Sequence, residues 1–216
     1  MIKGRVFDNI PDVSYLDKDM SQNDLLIVKD ASFYENISQK DLAVWCHFRG
    51  IYNLPTTELI EWLKGQIIPG ETIEIGAGVG TTGRALNIPI TDSCIMEEPL
   101  VALHYKMMRQ PTTKYPIDIV RLSAQEAILH YKPSVVIGCW VTQIFREEDG
   151  SDQDSSVFGI DEDFILEHVE KYIVIGNKKT HGSKRIMGIE HKEYQFPWLY
   201  SRSMGYEDNV IYVWEK

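Results

Sequence analysis

IEIGAGVGTTG, residues 73–83, is the stretch that decides the fold, because an apolar run passes directly into glycines at positions 76, 78, 80 and 83. Such a pattern predicts a strand that ends in a tight turn and opens a helix. Glycine removes the Cβ atoms from the turn, and the first N–H groups of a helix have no partners within it. The stretch therefore predicts a place where the backbone comes close to a small ligand.

The overall composition predicts one folded domain. The chain has 216 residues, 44% of them hydrophobic and 25% charged, which are ordinary values for a globular protein with one sizeable core. Its net charge of −10 argues against direct nucleic-acid binding and against attachment to an anionic membrane, because both need a basic footprint. A local basic patch is compatible with this charge.

The cysteines and histidines do not predict a metal site or a disulfide framework. Cys46, Cys94 and Cys139 are widely spaced without a CxxC pair, and the histidines lack ligand spacing. The N-terminal segment has no apolar stretch of secretory length, and no run of about 18 apolar residues occurs. We therefore expect a cytoplasmic protein with no metal and no membrane segment.

Short apolar, β-branched runs alternate with helix-like segments from residue 71 onward: ETIEIG, IPITD, PIDIVRLS, PSVVIGCW and KYIVIGN. This alternation predicts an α/β fold with a mostly parallel sheet flanked by helices. The last runs, EYQFPWLYSRS and NVIYVWEK, are separated only by MGYED and predict a C-terminal antiparallel hairpin.

The beginning of the chain predicts an extension of the main domain. Residues 1–56 are expected to form an arm and a helix that pack on the α/β domain, residues 57–216. Ser38 and Asp41 have the spacing of a capping box at the start of that helix, and ELIEWLKG predicts a second helix ending at Gly65. Residues 147–163 are acidic and predict a solvated loop, while a cation-binding loop or a lid is an alternative.

Two ligands compete for the glycine turn on sequence alone. GVGTTG, residues 78–83, satisfies the G-x-G-x-x-G pattern of dinucleotide-binding turns, although it begins two residues late relative to the end of the strand. The sharper repeat is GAGVG, residues 76–80, with the carboxylate of Glu74 two positions ahead of it. A glycine-rich turn without any cofactor is a further alternative.

EIGAGVG, residues 74–80, resembles the first motif of the class I, Rossmann-like S-adenosylmethionine-dependent methyltransferases. The helix ahead of the first strand and the final hairpin also resemble this family. The resemblance implies that Gly76, Gly78 and Gly80 line the cofactor, and that Glu74 orients the turn and faces the methionine portion. Asp92, at the end of IPITD, is implied to bind the ribose hydroxyls. LPTTELIEWL and FPWLYSRS are similar to stretches of uncharacterised methyltransferase-like proteins of bacteria and phages.

The chain departs from the family pattern in two places. Between Gly80 and Asp92 the spacing is short, which predicts a short first helix and leaves Asp92 open to a role as a helix N-cap. The adenine-side position is occupied by SAQE, residues 123–126, so Ser123, Gln125 or Glu126 is expected there. The fourth strand ends in GCWV without the proline-rich motif of amino-methyltransferases, which argues against that class.

The acceptor is expected near the ends of the fourth and fifth strands, because ligands of parallel sheets bind beyond the carboxyl ends of the strands. Trp140 is a candidate wall of the acceptor pocket, with a core role as the alternative. NKKTHGSKR, residues 177–185, offers His181 as a general base and Lys178 as a contact for an anionic substrate, or else a solvated loop. The sequence thus predicts a methyltransferase of unknown acceptor and oligomeric state; a non-catalytic binding module and a dinucleotide-dependent oxidoreductase are the alternatives.

Overall fold

The computed structural model describes residues 10–23, 25–147 and 155–216. These residues form a mixed five-stranded sheet with helices on both faces. The strands are β1 Ser21–Gln22, β2 Leu25–Leu26, β3 Asn53–Leu54, β4 Thr72–Ile75, β5 Thr91–Asp92, β6 Val120–Arg121, β7 Val135–Cys139, β8 Gln143–Ile144, β9 Ser155–Ser156, β10 Lys171–Asn177, β11 Lys192–Tyr194, β12 Tyr200–Ser201 and β13 Asn209–Glu215. The α-helices are α1 Asp17–Met20, α2 Ala31–Glu35, α3 Gln39–Phe48, α4 Thr57–Lys64, α5 Thr81–Leu86, α6 Pro99–Met107, α7 Ala124–Tyr131, α8 Glu162–His168 and α9 Lys178–His181.

The central sheet has the strand order β11-β13-β10-β7-β4. β4, β7 and β10 run parallel, and β13 is antiparallel to both β10 and β11. Almost every residue of these central strands is buried, as expected for strands that are covered on both faces. The prediction of an α/β fold is therefore confirmed.

The sheet continues beyond β4 through a narrow junction. A parallel bridge joins Glu74 to Ile90, the Ala77 N–H donates to the Thr91 carbonyl at 3.0 Å, and β5 then pairs with β6 in parallel. The chain thus builds β5 and β6 on one side of β4 and then crosses to build β7 and β10 on the other side. The crevice beyond the carboxyl ends of β4 and β7 lies at this reversal of strand order, where open α/β sheets bind their ligands.

Alternate residues of β10 enter the two apolar layers. Tyr172 and Val174 pack with α7 and α8 on one face, whereas Ile173 and Ile175 pack with α4 and α5 on the other. The period of two along the strand produces this division. The resulting order of layers, helix, sheet and helix, fixes which residues reach the ligand edge.

The end of the chain differs in detail from the expected hairpin. β11 and β13 are antiparallel neighbours, but β11 ends at Tyr194, and β12 pairs instead with β3 near the beginning of the chain. Pro197 lies between β11 and β12 and has no N–H to donate to a ladder, which favours the interruption.

The first described residues form short helices and strands ahead of β4. Side-chain caps start the two longest of these helices: Ser38 Oγ accepts from the Asp41 N–H at 3.1 Å, and Thr56 Oγ1 accepts from the Leu59 N–H at 3.1 Å. An apolar cluster between Val13 and Leu54 packs against Val79 in the glycine turn. This part of the chain therefore touches the turn directly.

Residues 148–154, within the expected acidic loop, lie outside the described residues, so the expectation of a solvated loop or lid is not tested there. The following residues fold back on the sheet, where β9 pairs with β8. None of the helices in the described ranges has the length and apolar character that a membrane crossing requires.

Candidate functional site

The glycine turn connects β4 to α5 at the ligand edge of the sheet. Gly76, Gly78 and Gly80 have φ angles of +53°, +56° and +69°, in the left-handed region that residues with a Cβ atom rarely adopt. The prediction that these positions need glycine is supported by this backbone. α5 is also short, as the spacing between Gly80 and Asp92 predicts.

The glycines differ in what lies next to them. A Cβ atom at Gly76 would come within 2.9 Å of Val141 Cγ1, and one at Gly80 would come within 2.8 Å of Ile90 Cδ1. At Gly78 the nearest atom to such a Cβ would be Thr113 Cγ2, at 3.9 Å. Gly76 and Gly80 therefore permit close packing within the protein, whereas Gly78 has room for a Cβ atom.

The N–H groups of the turn have protein partners. Gly78 donates to Asp92 Oδ2 at 2.9 Å, Gly80 to the Ala77 carbonyl at 2.8 Å and Gly83 to Glu74 Oε2 at 2.7 Å. These hydrogen bonds fix the turn from within. These three N–H groups are therefore not free to donate to a bound anion.

Arg84 braces the outer side of the turn, a role that the sequence did not suggest. Its Nη1 donates to the carbonyls of Val79 and Gly80 at 3.2 and 3.1 Å, and its Nη2 pairs with Asp118 at 2.8 Å. The guanidinium thus ties α5 to the segment before β6. The spacing of Arg84, one helical turn beyond Gly80, is the sequence signal that could have predicted this contact.

Glu74 lies beneath the turn rather than on its open side. The side chain is 1% exposed, and burial raises its pKa to about 7, opposed by the hydrogen bond from the Gly83 N–H. Cys139 on β7 also hydrogen-bonds this carboxyl group, and its Sγ lies 3.6 Å from Thr82 Oγ1. Glu74 therefore joins β4, α5 and β7 beneath the turn.

Asp92 lies at the end of β5, on the other side of the turn. Its Oδ2 accepts from Gly78, and its Oδ1 accepts from the Cys94 N–H at 2.8 Å. Burial raises the pKa of Asp92, opposed by these two hydrogen bonds and by one to Tyr115. An ionised carboxylate offers about four acceptor sites, so Asp92 clamps the turn and retains capacity for a further donor.

A cleft of about 80 Å³ lies beside the turn, lined by Gly76, Ser93, Ser123, Ala124, Gln125 and the segment 158–161. Ser123 is the N-cap of α7 in a capping box with Glu126, whose Oε2 accepts from the Ser123 N–H at 2.8 Å. Ligand pockets usually measure about 300–1,000 Å³, so this cleft is narrow. Residues 158–161 form one of its walls, and Ile160 approaches Gly76.

A larger cleft of about 310 Å³ lies elsewhere, between residues 22, 23 and 25–28 on one side and α5 on the other, where Thr81, Arg84 and Ala85 line it. It includes none of the turn glycines and none of the strand ends that carry Asp92 and Ser123. Strand topology places the ligand edge at the smaller cleft, so we take that cleft as the candidate site.

Trp140 follows β7 on the acceptor side, with a φ angle of +57°. Its ring meets His181 edge-on at 5.1 Å between centroids and lies 6.3 Å from the ring of Tyr52. The indole Nε1 is buried and has no hydrogen-bond partner within the described part of the chain. Trp140 therefore brings an unused donor to the ligand edge, and Tyr52 joins it from the N-terminal extension, where no sequence signal pointed.

His181 is buried behind Trp140. Its Nδ1 accepts from the Asn177 N–H at 2.9 Å, and burial, followed by the nearby charge of Lys184, lowers its pKa to about 3. An imidazole with so low a pKa is a weak base near neutral pH. This environment favours a structural role for His181, which supports the ring of Trp140.

The other basic residues of segment 177–185 are paired with carboxylates of the protein. Lys178 pairs with Glu193 at 2.6 Å, Lys179 with Asp208 at 2.5 Å, Lys184 with Glu162 at 2.6 Å, and Arg185 with Asp163. The expected contact between Lys178 and an anionic substrate would have to compete with Glu193. This segment thus carries little positive charge for a ligand.

The described residues contain no group of three or more histidine, cysteine, aspartate or glutamate side chains that could hold a metal ion. The structure therefore brings Gly76 and Ser123 together at one cleft, joins Gly78 to Asp92 by a hydrogen bond within the adjoining turn, and places Trp140 and His181 after β7 and β10. Comparison with known protein-family models and with curated proteins gives no match to this chain.

Proposed function

We propose that the chain binds S-adenosylmethionine at the ligand edge of its sheet and transfers the methyl group to an acceptor. One observation carries this proposal: a glycine turn with left-handed backbone lies where the strand order reverses, with Asp92 beside it. The strand order β6-β5-β4-β7-β10-β13-β11 supports a Rossmann-like sheet closed by antiparallel strands, as the sequence resemblance implies.

The polar partners of the turn favour this cofactor over a dinucleotide. A pyrophosphate accepts from several N–H groups of such a turn, but Gly78, Gly80 and Gly83 already donate to protein oxygens. The carboxyl groups of Glu74 and Asp92 lie on either side of the turn and would oppose the negative charge of a pyrophosphate. S-adenosylmethionine carries a positive sulfonium and no phosphate, so both features suit it.

The chemistry of the cleft also fits an adenosyl group. Asp92, in the adjoining turn, retains capacity for one further donor, and Ser93, Ser123 and Gln125 present polar atoms along the neighbouring strand ends. The volume of about 80 Å³ is too small for a complete adenosyl group, so binding requires residues 158–161 to move outward. We therefore expect cofactor binding to be coupled to displacement of this segment.

The bound cofactor would supply an electrophilic methyl group, and the protein residues would supply alignment. Gly78 allows close approach of the backbone, Asp92 orients the turn, and Trp140 offers a ring face and an unpaired Nε1–H to the acceptor. The low pKa of His181 does not support the general-base role that the sequence suggests. The best-suited acceptor therefore carries a nucleophile that is already deprotonated near neutral pH.

A non-catalytic module that binds the same cofactor is the second candidate. The pairing of Lys178 with Glu193 and the burial of His181 favour it, because neither residue is free for acceptor chemistry. Incubation of the protein with methyl-labelled cofactor and separate pools of small molecules, proteins and nucleic acids distinguishes the two candidates. Label in an acceptor supports the enzyme, whereas binding without label transfer to any pool supports the module.

Replacement of Gly78 by leucine tests the proposed site. Gly70 provides a matched control, because it also has a positive φ angle and room for a Cβ atom. Unlike Gly78, it lies before β4 and away from the turn. Gly78→Leu and Gly70→Leu should lose similar stability in urea unfolding, since both strain the backbone. Calorimetry with S-adenosylhomocysteine should show at least a tenfold weaker affinity for Gly78→Leu alone; equal affinities would contradict the site.

A further inference from the structure

Residues 157–161 contribute a wall of the candidate cleft and lie between two fixed points of the chain; we call them the lid segment. Immediately before it, the Ser156 carbonyl accepts from the Phe145 N–H at 2.8 Å, which holds β9 to β8. Immediately after it, Glu162 is buried and pairs with Lys184 at 2.6 Å. The lid segment is therefore the part of this wall that can move while its two ends stay in place.

The side chain of Ile160 fills the space next to the glycine turn. Its Cδ1 would lie 3.3 Å from a Cβ atom at Gly76, and the side chain packs at the edge of the apolar layer formed with α7 and α8. Val157 and Phe158, in contrast, are 69% and 57% exposed. The closed lid segment thus buries little apolar surface beyond Ile160, so hydrogen bonds, ion pairs and a close backbone fit have to hold it.

The backbone of the lid segment lies directly on β8. The Ile160 N–H donates to the Thr142 carbonyl, and the Ile160 carbonyl accepts from the Ile144 N–H, both at 2.8 Å. A Cβ atom at Gly159 would lie 2.0 Å from the Gln143 carbonyl oxygen, far inside van der Waals contact. The φ angle of Gly159 is outside the left-handed region. Glycine is therefore needed here for the close approach to β8, not for an unusual backbone conformation.

Arg146 joins the two sides of the lid segment from outside. Its Nη2 lies 2.6 Å from Asp161 Oδ1, and its Nη1 lies 3.3 Å from Asp163 Oδ2. Asp161 is the last residue of the lid segment and also caps α8, where it accepts from the Phe164 N–H at 3.4 Å. Because Arg146 is partly exposed, these ion pairs add only modestly to stability and can break and re-form.

We propose that the lid segment is an autoinhibitory closure of the candidate cleft, which moves outward between Ser156 and Glu162 and is held closed by Arg146 and by the fit of Gly159 on β8. The inference rests on the proposed function for its ligand, an adenosyl compound. A ligand that binds only the open form has an apparent affinity reduced by the open fraction. Weakening the closed form should therefore strengthen ligand binding, whereas loss of a ligand contact would weaken it.

Hydrogen exchange of the Ile160 and Ile144 amide protons, followed by NMR, measures opening without any ligand. Gly159→Ala should raise both exchange rates at least tenfold, and Arg146→Met should raise them several-fold. Gly188→Ala is the matched control, because Gly188 also lacks a positive φ angle and a Cβ atom there would meet nothing within 4 Å; it should exchange like the wild type. Circular dichroism checks folding, and Arg146→Met carries the test if Gly159→Ala does not fold. Wild-type exchange rates in the folded variants would overturn the proposal.

Calorimetry with S-adenosylhomocysteine tests whether the closed lid segment blocks the cleft. Gly159→Ala and Arg146→Met should bind this ligand several-fold more tightly than the wild type and Gly188→Ala do. Equal or weaker binding by variants with raised exchange would overturn the autoinhibitory role. Raised exchange with no binding to any form of the protein would confirm the movement but contradict the proposed function, and with it the adenosyl ligand of the lid segment. The two failures are therefore distinguishable.

Discussion

The glycine turn and the basic segment 177–185 leave the same edge of the sheet but differ in what they can offer a ligand. The turn follows β4 and leaves room for a Cβ atom at Gly78. The basic segment follows β10, pairs its lysines and arginine with carboxylates, and directs the Nδ1 of His181 to a backbone N–H. Residue type suggests chemistry in both segments, but the partners of each side chain decide whether that chemistry is available.

Removal of the buried cation of Lys184 should cause the largest loss in the free energy of unfolding. Lys184 and Glu162 form an ion pair whose side chains are 0% and 3% exposed, and Glu162 also accepts from the Tyr172 hydroxyl at 2.8 Å. Lys184→Met leaves a buried carboxylate without its cation and should lower the free energy of unfolding by about 4 kcal/mol in urea titrations. Lys179→Met is the control, because Lys179 is 72% exposed and its ion pair should contribute little to stability. Equal losses would mean that the basic segment is not a structural element.

Glu74 should make the stability of the turn depend on pH. Its pKa in the folded protein is raised to about 7, so its contribution is fully present below the ordinary pKa of a glutamate and is lost as pH rises through 7. Between pH 5 and pH 8 we expect a loss of about 3 kcal/mol from this group. Glu74→Gln should flatten the dependence in urea unfolding at both pH values. A steeper or unchanged slope would show that Glu74 is not buried beneath the turn.

The glycines of the turn should divide into packing and ligand-facing positions. A Cβ atom at Gly83 would lie 2.7 Å from Glu74 Oε2 and would also press on Ile90, so Gly83→Ala should destabilise the fold by about 2 kcal/mol. Gly78→Ala meets no such contact and should cost about 1 kcal/mol through its backbone angle alone. Chemical denaturation measures both losses; the reverse order would contradict the open position of Gly78.

The ionisation state of His181 should change least with pH. Its pKa is lowered to about 3, so the ring should remain neutral between pH 5 and pH 8, and its contribution to stability is lost only as pH falls below the ordinary histidine range. The NMR shifts of its ring protons should therefore be constant across this interval. A titration midpoint within it would show that the imidazole is accessible and would restore the general-base hypothesis.

Local signals account for the parts of this molecule that the sequence predicts. β4, β7 and β10 are rich in apolar, β-branched residues, and the short spacing after Gly80 predicts a short α5, so these elements follow from neighbouring residues alone. The pairing of β12 with β3 joins distant parts of the chain, and no local pattern identifies it.

In the candidate site, too, some features follow from the local sequence and others depend on distant contacts. The left-handed turn and the position of Asp92 at a strand end follow from the motif. The burial of His181, the pairing of Lys178 and the open face of Gly78 depend on side chains brought together only by folding. In α6 the local sequence misleads, because Leu100, Leu103 and Met107 have the apolar character of core residues but lie on the surface.

Calorimetric titration of the wild-type protein with S-adenosylmethionine, S-adenosylhomocysteine and NAD tests the central claim most directly. The turn that donates its N–H groups internally, beside two carboxyl groups, should bind both adenosyl ligands with dissociation constants on the order of micromolar and show no heat with NAD. Binding of NAD, or no binding of either adenosyl ligand, would contradict the account.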